Sequence, residues 1–316
     1  MQLGLFQATP ARPLTLENAS GDINADRRYQ WGLGAAAQGD FEAARDLFAQ
    51  TLELVPAWAP GWFALGQALE SLGRRAEAAD AYEKALALDE DDAHGAALCL
   101  AHLGARAAPN TAPRAYVKTL FDQYAPNFDR HLVGALAYRG PQILAEAVER
   151  AAPGRQFAHA LDLGCGAGLL GATLRDRARV LTGVDLSPAM IFQAREKNLY
   201  DRLEAAEIVE FLHAEPGSSA DFAAAADVFV YIGDLAPVFA AAARVLAPGG
   251  LLAFTAQNSG GEGFAVGPDR RFSHGRGYLA AGAEANGFAV VEIAPASTRK
   301  DRGVDVPGWV VVFRRV

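Results

Sequence analysis

The residues whose types and spacing most clearly suggest chemistry form an apolar run that ends in an acid and opens into a glycine-rich turn. This run covers residues 160–171, with the acid at Asp162. Three alternating glycines follow the acid: Gly164, Gly166 and Gly168. Because only glycine tolerates positive φ without a side-chain clash, the backbone here can turn tightly and approach a ligand. A second acid, Asp185, ends the next apolar run, where a carboxylate can accept hydrogen bonds from both ribose hydroxyls. Together these features predict a nucleotide-like cofactor.

The charge beside the first glycine favours S-adenosyl-L-methionine over a dinucleotide. Gly166, Gly168 and Gly171 also satisfy the spacing of a dinucleotide fingerprint, which is weak evidence taken alone. Asp162, however, lies just before the first glycine, where a carboxylate can pair with the ammonium of a methionine moiety but would repel a pyrophosphate. The sign of this charge therefore indicates the adenosyl cofactor.

Three segments in the same order resemble the class I S-adenosylmethionine-dependent methyltransferases: residues 162–168, 184–190 and 246–251. The first segment includes Cys165, within the glycine turn, and the resemblance makes this turn part of the cofactor site. Leu186 and Met190 are expected to flank the adenine ring. Glu207, after the predicted third strand, is expected to accept a hydrogen bond from the adenine amino group. The resemblance implies methyl transfer from S-adenosyl-L-methionine.

An aromatic-rich segment, residues 121–129, precedes the glycine turn. It resembles the aromatic lid helix of methyltransferases of this class, especially those fused to tetratricopeptide repeats. By that resemblance Tyr124 and Phe128 cover the cofactor and help to shape the acceptor pocket. The alternative is that both are core residues on an amphipathic stripe.

Further candidate residues lie in or just after the predicted fourth strand, residues 227–232, and after the predicted fifth strand. Asp227 is assigned to the cofactor site. Tyr231, as a candidate catalytic residue, and Asp234 are assigned to the acceptor pocket, because this strand end faces the transferred methyl in related folds. His274 is the candidate base, since the ordinary pKa of histidine suits proton removal near neutrality. The alternatives are that Asp227 caps the strand, that Tyr231 packs in the core, and that His274 is a surface or helix-capping residue.

Before this region the chain repeats at a spacing of 34 residues, as in Gly32 and Gly66, and Phe48 and Tyr82. The pattern resembles tetratricopeptide repeats, with two copies and a further first helix near residues 93–103. So short an array leaves two interpretations open. The repeats either pack or dimerise, or they present a groove to a peptide or partner protein.

The predicted domains are a helical repeat domain over 20–104, a linker over 105–114 and a methyltransferase domain over 115–316. Strands alternate with helical patterns in the last of these, which predicts an α/β fold with a Rossmann-like, seven-stranded, mostly parallel sheet and helices on both faces. The predicted strands are residues 159–163, 179–185, 204–208, 227–232, 250–256, 289–293 and 309–314. A terminal hairpin is expected to add one antiparallel strand.

Composition limits the class of protein. The 316 residues are 51% apolar and carry a formal net charge of −8, which argues against nucleic-acid binding through phosphates. Arg270, Arg271, Arg299, Lys300 and Arg302 are basic residues that belong either to solvated loops or to a site for an anionic acceptor. Two unpaired cysteines, no secretion signal, no membrane segment and no metal-ligand spacing predict a cytoplasmic protein without a metal site.

The sequence therefore favours an enzyme that methylates an oxygen or nitrogen of a small-molecule acceptor. Two alternatives remain: a protein or peptide methyltransferase whose repeats recruit the substrate, and a cofactor-binding interaction module without catalysis. The intact glycine turn and both acids argue against the last.

Overall fold

The computed structural model describes residues 19–125, 128, 138–301 and 303–316. The chain divides into two compact units. A helical unit ends at Tyr116 and also takes in Val266–Arg271, and an α/β unit is formed by Val117–Ala265 and Phe272–Val316. The sequence gives no sign that Val266–Arg271, far along the chain, belongs with the helices.

Five helices form the described part of the helical unit, and each packs against the next along the chain. They are α1 (Ile23–Ala37), α2 (Phe41–Leu54), α3 (Ala59–Ser71), α4 (Arg75–Leu88) and α5 (Ala96–His102). The side chains of Asp22 and Asp40 accept N–H groups at the starts of α1 and α2. Such caps satisfy backbone donors that the first turn of a helix leaves without partners.

The 34-residue spacing has a packing cause. A Cβ added at Gly32 would overlap the ring of Phe48, and a Cβ added at Gly66 would overlap the ring of Tyr82. In each repeat the glycine of the first helix thus makes room for an aromatic ring of the second. The sequence alignment of these four residues therefore corresponds to equivalent contacts in the two repeats.

The segment Val266–Arg271 contributes a buried arginine to the helical unit. The guanidinium carbon of Arg270 lies 5.1 Å from the centre of the Phe63 ring. Burial disfavours the charged form, but nearby groups outweigh it and raise the pKa of Arg270. These groups include the Glu70 carboxylate. Arg270 is a cation inside the unit, because a guanidinium does not lose its proton in proteins.

Replacing Arg270 with Met should loosen the helical unit. A desolvated cation–π contact contributes about 2 kcal/mol. We expect amide hydrogen exchange in α3 and α4, measured by mass spectrometry, to accelerate by about thirtyfold. Arg276→Met is the matched control, because Arg276 is exposed. Equal exchange in the two variants would contradict a stabilising role for Arg270.

The α/β unit is built on a nine-stranded sheet within the described residues. The main path runs β3–β2–β1–β4–β5–β11–β8, and β6 and β7 join beside β5. The strands are β1 (Phe157–Leu163), β2 (Ala178–Asp185), β3 (Arg202–Ala205), β4 (Ala220–Ala225), β5 (Leu246–Asn258), β6 (Phe264–Val266), β7 (Phe272–His274), β8 (Phe288–Ala296) and β11 (Gly308–Arg315). The first five are parallel, and β11 is antiparallel to β5 and β8. The main path has the predicted seven strands, and the fold class is confirmed.

Helices cover both faces of the sheet. Those that include residues of this unit are α6 (Arg114–Tyr124), α7 (Gly140–Ala151), α8 (Leu169–Leu174), α9 (Pro188–Glu196), α10 (Ile208–Ala214), α11 (Ala236–Val245) and α12 (Arg276–Ala285). Alternate residues of β1 enter two separate cores: Leu161 packs with residues of α10 to α12, and Ala160 packs with residues of α7 and α8. A separate short pair, β9 (Lys300–Asp301) and β10 (Val304–Asp305), lies outside the main sheet. None of the helices in the described ranges has the length and apolar character needed to cross a bilayer.

Two of the predicted strands are displaced. Residues 227–232 do not form the fourth strand: Ala220–Ala225 does, and Phe229–Tyr231 is a turn of 3₁₀ helix. The prediction followed the β-branched and aromatic residues, but the alanine-rich segment lies between β1 and β5, where tertiary packing overrides propensity. The third strand ends at Ala205, so Glu207 begins the helix α10 instead of lying at a strand end.

The five basic residues singled out in the sequence are not all on solvated loops. Arg270, Arg271 and Arg299 are buried, and only Lys300 is exposed among the four described members. Arg270 and Arg271 belong to the helical unit, whereas Arg299 belongs to the α/β unit. Arg302 lies outside the described residues.

Candidate functional site

The glycine turn follows β1 directly and is held by backbone hydrogen bonds to β2. All three alternating glycines have positive φ, with values of 72°, 51° and 87° in chain order. The N–H groups of Gly164 and Cys165 donate to the carbonyl oxygen of Val184, at 2.8 and 2.9 Å. The turn therefore has the conformation that its glycines predict, at the carboxyl ends of two adjacent strands.

Asp185 joins the turn to the end of β2. One carboxylate oxygen accepts the N–H of Gly166, and the other accepts the N–H of Ser187, both at 2.9 Å. Burial raises the pKa of Asp185 to about 6, although these two N–H groups oppose the rise. Each oxygen retains a second lone pair, so the carboxylate can still accept ribose hydroxyls.

Asp162 is buried, with 1% of its surface exposed, and its two oxygens differ. Oδ2 accepts the hydroxyl of Tyr200 at 2.7 Å, whereas Oδ1 makes no hydrogen bond within the residues that the structure describes. Burial raises the pKa of Asp162 to about 7, and the charge of Asp185 adds to the rise. The hydrogen bond from the Tyr200 hydroxyl opposes the rise.

These residues fit S-adenosyl-L-methionine. A buried carboxylate oxygen with no partner costs free energy that a ligand ammonium would recover. Gly166 has a φ of 51°, a conformation that residues with side chains rarely adopt, so the turn carries no side chain at this position beside the Asp185 carboxylate. Asp162 can therefore hold the amino group and Asp185 the ribose of the cofactor.

Of the residues predicted to surround the adenine, Met190 lies on α9, Leu186 lies just before that helix, and Glu207 lies just before α10. Met190 is fully buried against Ala125, Ala167 and the aromatic residues of the lid segment, and Leu186 is half-buried. One carboxylate oxygen of Glu207 accepts the N–H groups of Val209 and Glu210. Glu207 therefore caps α10 with Oε2, and its role toward adenine stays a prediction that would use Oε1. Cys165 packs against Ile191 and Ala194, and burial raises the pKa of its thiol.

The aromatic residues that precede the turn form one cluster. Tyr124 and Phe128 meet edge to face with ring centres 5.5 Å apart, and Phe121 meets Tyr231 in the same way at 5.4 Å. Phe121, Tyr124 and Phe128 also pack against Met190. The structure thus brings the predicted lid residues together with the predicted acceptor residue Tyr231. The remaining positions of the segment 121–129 include Pro126, Asn127 and Asp129, which lie outside the described residues.

Asp122 is a residue that the sequence analysis missed. Its Oδ1 accepts the Ser187 hydroxyl at 2.5 Å, and its Oδ2 accepts the ammonium of Lys118 at 2.7 Å. Ser187 in turn caps α9 by accepting the N–H of Met190. Asp122 therefore fixes α6 to the loop that carries Asp185. The position of Asp122 on the same helix as the lid aromatics could have marked it as a candidate. The nearby sequence, however, does not predict its contact with Ser187.

Asp227 lies just beyond β4 in a left-handed conformation, with φ of 56°. Its N–H donates to the Thr255 hydroxyl at 2.8 Å, and its carboxylate accepts the Thr298 hydroxyl at 2.9 and 3.0 Å. A guanidinium nitrogen of Arg299 lies 3.6 Å from Oδ2. Aspartate adopts positive φ more readily than most residues, and these contacts hold Asp227 in that conformation. Its assignment to the cofactor stays a prediction.

His274 is completely buried on β7. Its Nε2 lies 3.0 and 3.1 Å from the carbonyl oxygens of Ile232 and Gly233, so Nε2 carries the proton and donates it to them. Nδ1 makes no hydrogen bond within the described ranges. Burial lowers the pKa of His274 to about 4, so the ring is neutral near pH 7. Asp234, on the same segment as Gly233, accepts the Tyr278 hydroxyl at 3.2 Å.

Two family models match the chain. The model of a methyltransferase domain matches residues 161–254, and the model of a tetratricopeptide repeat matches residues 59–92. The first match includes the glycine turn, Asp185 and β4, and the second covers α3 and α4.

Curated proteins match the methyltransferase region only in part. The human methyltransferase-like protein 27 is 39% identical over 100 residues, which is 31% of this chain and 40% of that protein. The malonyl-[acyl-carrier protein] O-methyltransferase of Salmonella typhimurium is 35% identical over 111 residues, which is 35% of this chain and 43% of that protein. The chain thus spans less than half the length of these relatives.

A solved structure supports the fold. The 1,6-didemethyltoxoflavin-N1-methyltransferase of Burkholderia thailandensis, crystallised with S-adenosylhomocysteine, covers 67% of this chain and 93% of its own, with a TM-score of 0.51 and 20% identity. The predicted resemblance, fold and cofactor are confirmed. Residues 161–254 of this chain therefore belong to a methyltransferase domain of the class I S-adenosylmethionine-dependent fold, and residues 59–92 before it are a tetratricopeptide repeat.

Proposed function

We propose that this protein transfers the methyl group of S-adenosyl-L-methionine to an oxygen or nitrogen of a small-molecule acceptor. The observation that carries the proposal is the aromatic cluster beside the glycine turn. Four rings, those of Phe121, Tyr124, Phe128 and Tyr231, lie in edge contact at centre distances between 5.4 and 6.3 Å. An aromatic cluster beside the cofactor turn suits a small, partly apolar acceptor better than a side chain on a protein surface.

The names of the matched proteins include both kinds of acceptor atom. The Salmonella protein is named as an O-methyltransferase of malonyl-[acyl-carrier protein], whose acceptor is carried on a protein, and the Burkholderia protein as an N1-methyltransferase of 1,6-didemethyltoxoflavin. The second of these names agrees with a small-molecule acceptor.

When bound, the cofactor supplies a methyl group on a positively charged sulfur, which a nucleophile attacks in line. The protein's own residues supply position, exclusion of water and, where needed, a base. His274 is assigned to proton removal through Nδ1, because Nε2–H is committed to two carbonyl oxygens. A pKa of about 4 makes this imidazole a weak base at pH 7.

Methyl-labelled S-adenosyl-L-methionine tests the proposal. Purified protein is incubated with the labelled cofactor and a lysate of the source cells, and small molecules are then separated from macromolecules. We expect label in the small-molecule fraction, and none when Asp185→Ala protein replaces the wild type. Label on a protein band other than the enzyme would instead support recruitment of a protein substrate by the repeats. Absence of transferred label in both fractions would contradict the proposed activity.

A further inference from the structure

We propose that Tyr200 is a positioning residue for the cofactor. Its hydroxyl holds one oxygen of the Asp162 carboxylate, so that the other oxygen is presented to the amino group of the methionine moiety. This inference rests on the proposed function, because it concerns the same cofactor. It assigns a role to a residue that belongs to none of the recognised motifs.

The contact between the two side chains is direct. The Tyr200 hydroxyl lies 2.7 Å from Asp162 Oδ2, and Oδ1 makes no hydrogen bond in the described parts of the chain. A hydrogen bond to one oxygen fixes the rotation of the carboxylate about its last bond. The second oxygen is then oriented before the ligand arrives, which lowers the entropic cost of binding a cation there.

Three glycines make room for the Tyr200 ring. A Cβ at Gly171 would overlap the end of the ring, a Cβ at Gly183 would lie 2.9 Å from Cε1, and a Cβ at Gly168 would lie 3.2 Å from Cε2. These glycines come from α8, β2 and the turn itself. Because all three glycines border the same ring, the space between them is shaped to fit the Tyr200 side chain. The packing of Tyr200 therefore explains why residue 171 is a glycine. The dinucleotide-like spacing of Gly166, Gly168 and Gly171 does not imply that a pyrophosphate binds there.

The Tyr200 hydroxyl helps to keep the Asp162 carboxyl ionised. The Asp162 carboxyl is disfavoured as an anion by burial and by the charge of Asp185, and the Tyr200 hydroxyl opposes that effect. The Cys165 thiol is also close, and burial raises its pKa, so it stays neutral near pH 7. The Lys197 side chain passes Gly168. Without the hydroxyl, Asp162 should hold its proton to a higher pH and lose its attraction for an ammonium.

The test is calorimetric titration of Tyr200→Phe, which keeps the ring and removes only the hydroxyl. At pH 7 we expect the affinity for S-adenosylhomocysteine to fall by about tenfold, as for loss of a hydrogen bond to a charged group. Wild-type affinity should rise as the pH increases through the pKa of Asp162, and in the variant this rise should move to higher pH. Affinity for 5′-methylthioadenosine, which lacks the amino acid moiety, should stay unchanged.

Two controls separate positioning from a structural role. Tyr82→Phe removes another tyrosine hydroxyl that lies 2.7 Å from a carboxylate oxygen, that of Glu70 in the helical unit. It should leave both affinities unchanged. In an Asp162→Ala background, Tyr200→Phe should cause no further loss of affinity for S-adenosylhomocysteine.

Each outcome has a distinct meaning. Equal loss of both ligands in Tyr200→Phe would show a structural role and overturn the inference, as would wild-type affinity for S-adenosylhomocysteine. An additive loss in the Asp162→Ala background would also overturn it. Failure of the wild-type protein to bind S-adenosylhomocysteine would instead contradict the proposed function itself.

Discussion

Asp185→Ala should abolish cofactor binding while the protein stays folded. The carboxylate can accept both ribose hydroxyls, and each hydrogen bond to a charged group contributes about 1.5 to 3 kcal/mol. The variant also removes the acceptor for the N–H groups of Gly166 and Ser187, which shape the turn. We expect the affinity for S-adenosylhomocysteine, measured by calorimetry, to fall by at least about a hundredfold.

The stability of this variant follows from the pKa of Asp185. Burial raises this pKa from 3.8 to about 6, so the folded state binds more protons than the unfolded state between these values. The contribution of the carboxyl to stability is therefore largest below about pH 4 and falls as the pH rises through 6. At pH 7 its ionised form opposes folding, which offsets the loss of its hydrogen bonds to the N–H groups of Gly166 and Ser187. Asp185→Ala should therefore unfold near the wild-type temperature.

The control for the binding loss is an aspartate of the same unit. Asp176→Ala changes an exposed side chain after α8 and should bind S-adenosylhomocysteine like the wild type. If Asp185→Ala retains wild-type affinity while its unfolding curve is unchanged, the assignment of Asp185 to the cofactor is wrong. Equal losses in Asp185→Ala and Asp176→Ala would point to a nonspecific effect of charge.

Gly164→Ala should destabilise the α/β unit more than loss of conformational freedom alone requires. Gly164 has a φ of 72°, and an added Cβ would overlap the Cγ2 methyl of Val228. The left-handed conformation costs a non-glycine residue about 1 to 2 kcal/mol, and overpacking costs about 1 to 3 kcal/mol more. We expect the free energy of unfolding, from urea titration, to fall by about 2 to 5 kcal/mol.

Gly154→Ala isolates the conformational part of this effect. Gly154 has a similar φ of 65°, but an added Cβ would meet nothing within 4 Å. This control should lose only about 1 to 2 kcal/mol. Adding Val228→Ala to Gly164→Ala should recover part of the excess. Equal destabilisation by Gly164→Ala and Gly154→Ala would show that the close contact with Val228 does not constrain the turn.

The sequence by itself determined the features whose signals are local. Glycines at Gly164, Gly166 and Gly168 specify a turn with positive φ because no other residue adopts it cheaply. The acid at the end of each adjoining strand, Asp162 and Asp185, is fixed to that turn by chain connectivity. The alternation of strands and helices and the 34-residue repeat likewise arise from periodic patterns that survive in any tertiary context.

Only the tertiary structure decided which segment became the fourth strand. Ala220–Ala225 lacks the β-branched residues that residues 227–232 possess, yet it fills the narrow space between β1 and β5. The displaced strand moves Asp227 from a strand start to a strand end, where Thr255 and Thr298 hold it. Intrinsic strand propensity contributes less than packing against neighbouring strands. The local sequence pattern therefore could not predict which of the two segments forms the fourth strand.

The partners of the site residues were also decided by tertiary structure. Tyr200 reaches Asp162 across 38 residues, Ser187 reaches Asp122 across 65, and Arg270 joins helices far earlier in the chain. The sequence predicts that Asp162 belongs to the site, but no spacing in it predicts that Tyr200 donates a hydrogen bond to this carboxylate. A hydrogen bond depends on distance in space, which the fold sets only after the elements have packed, whereas a glycine turn depends on the backbone of a few adjacent residues.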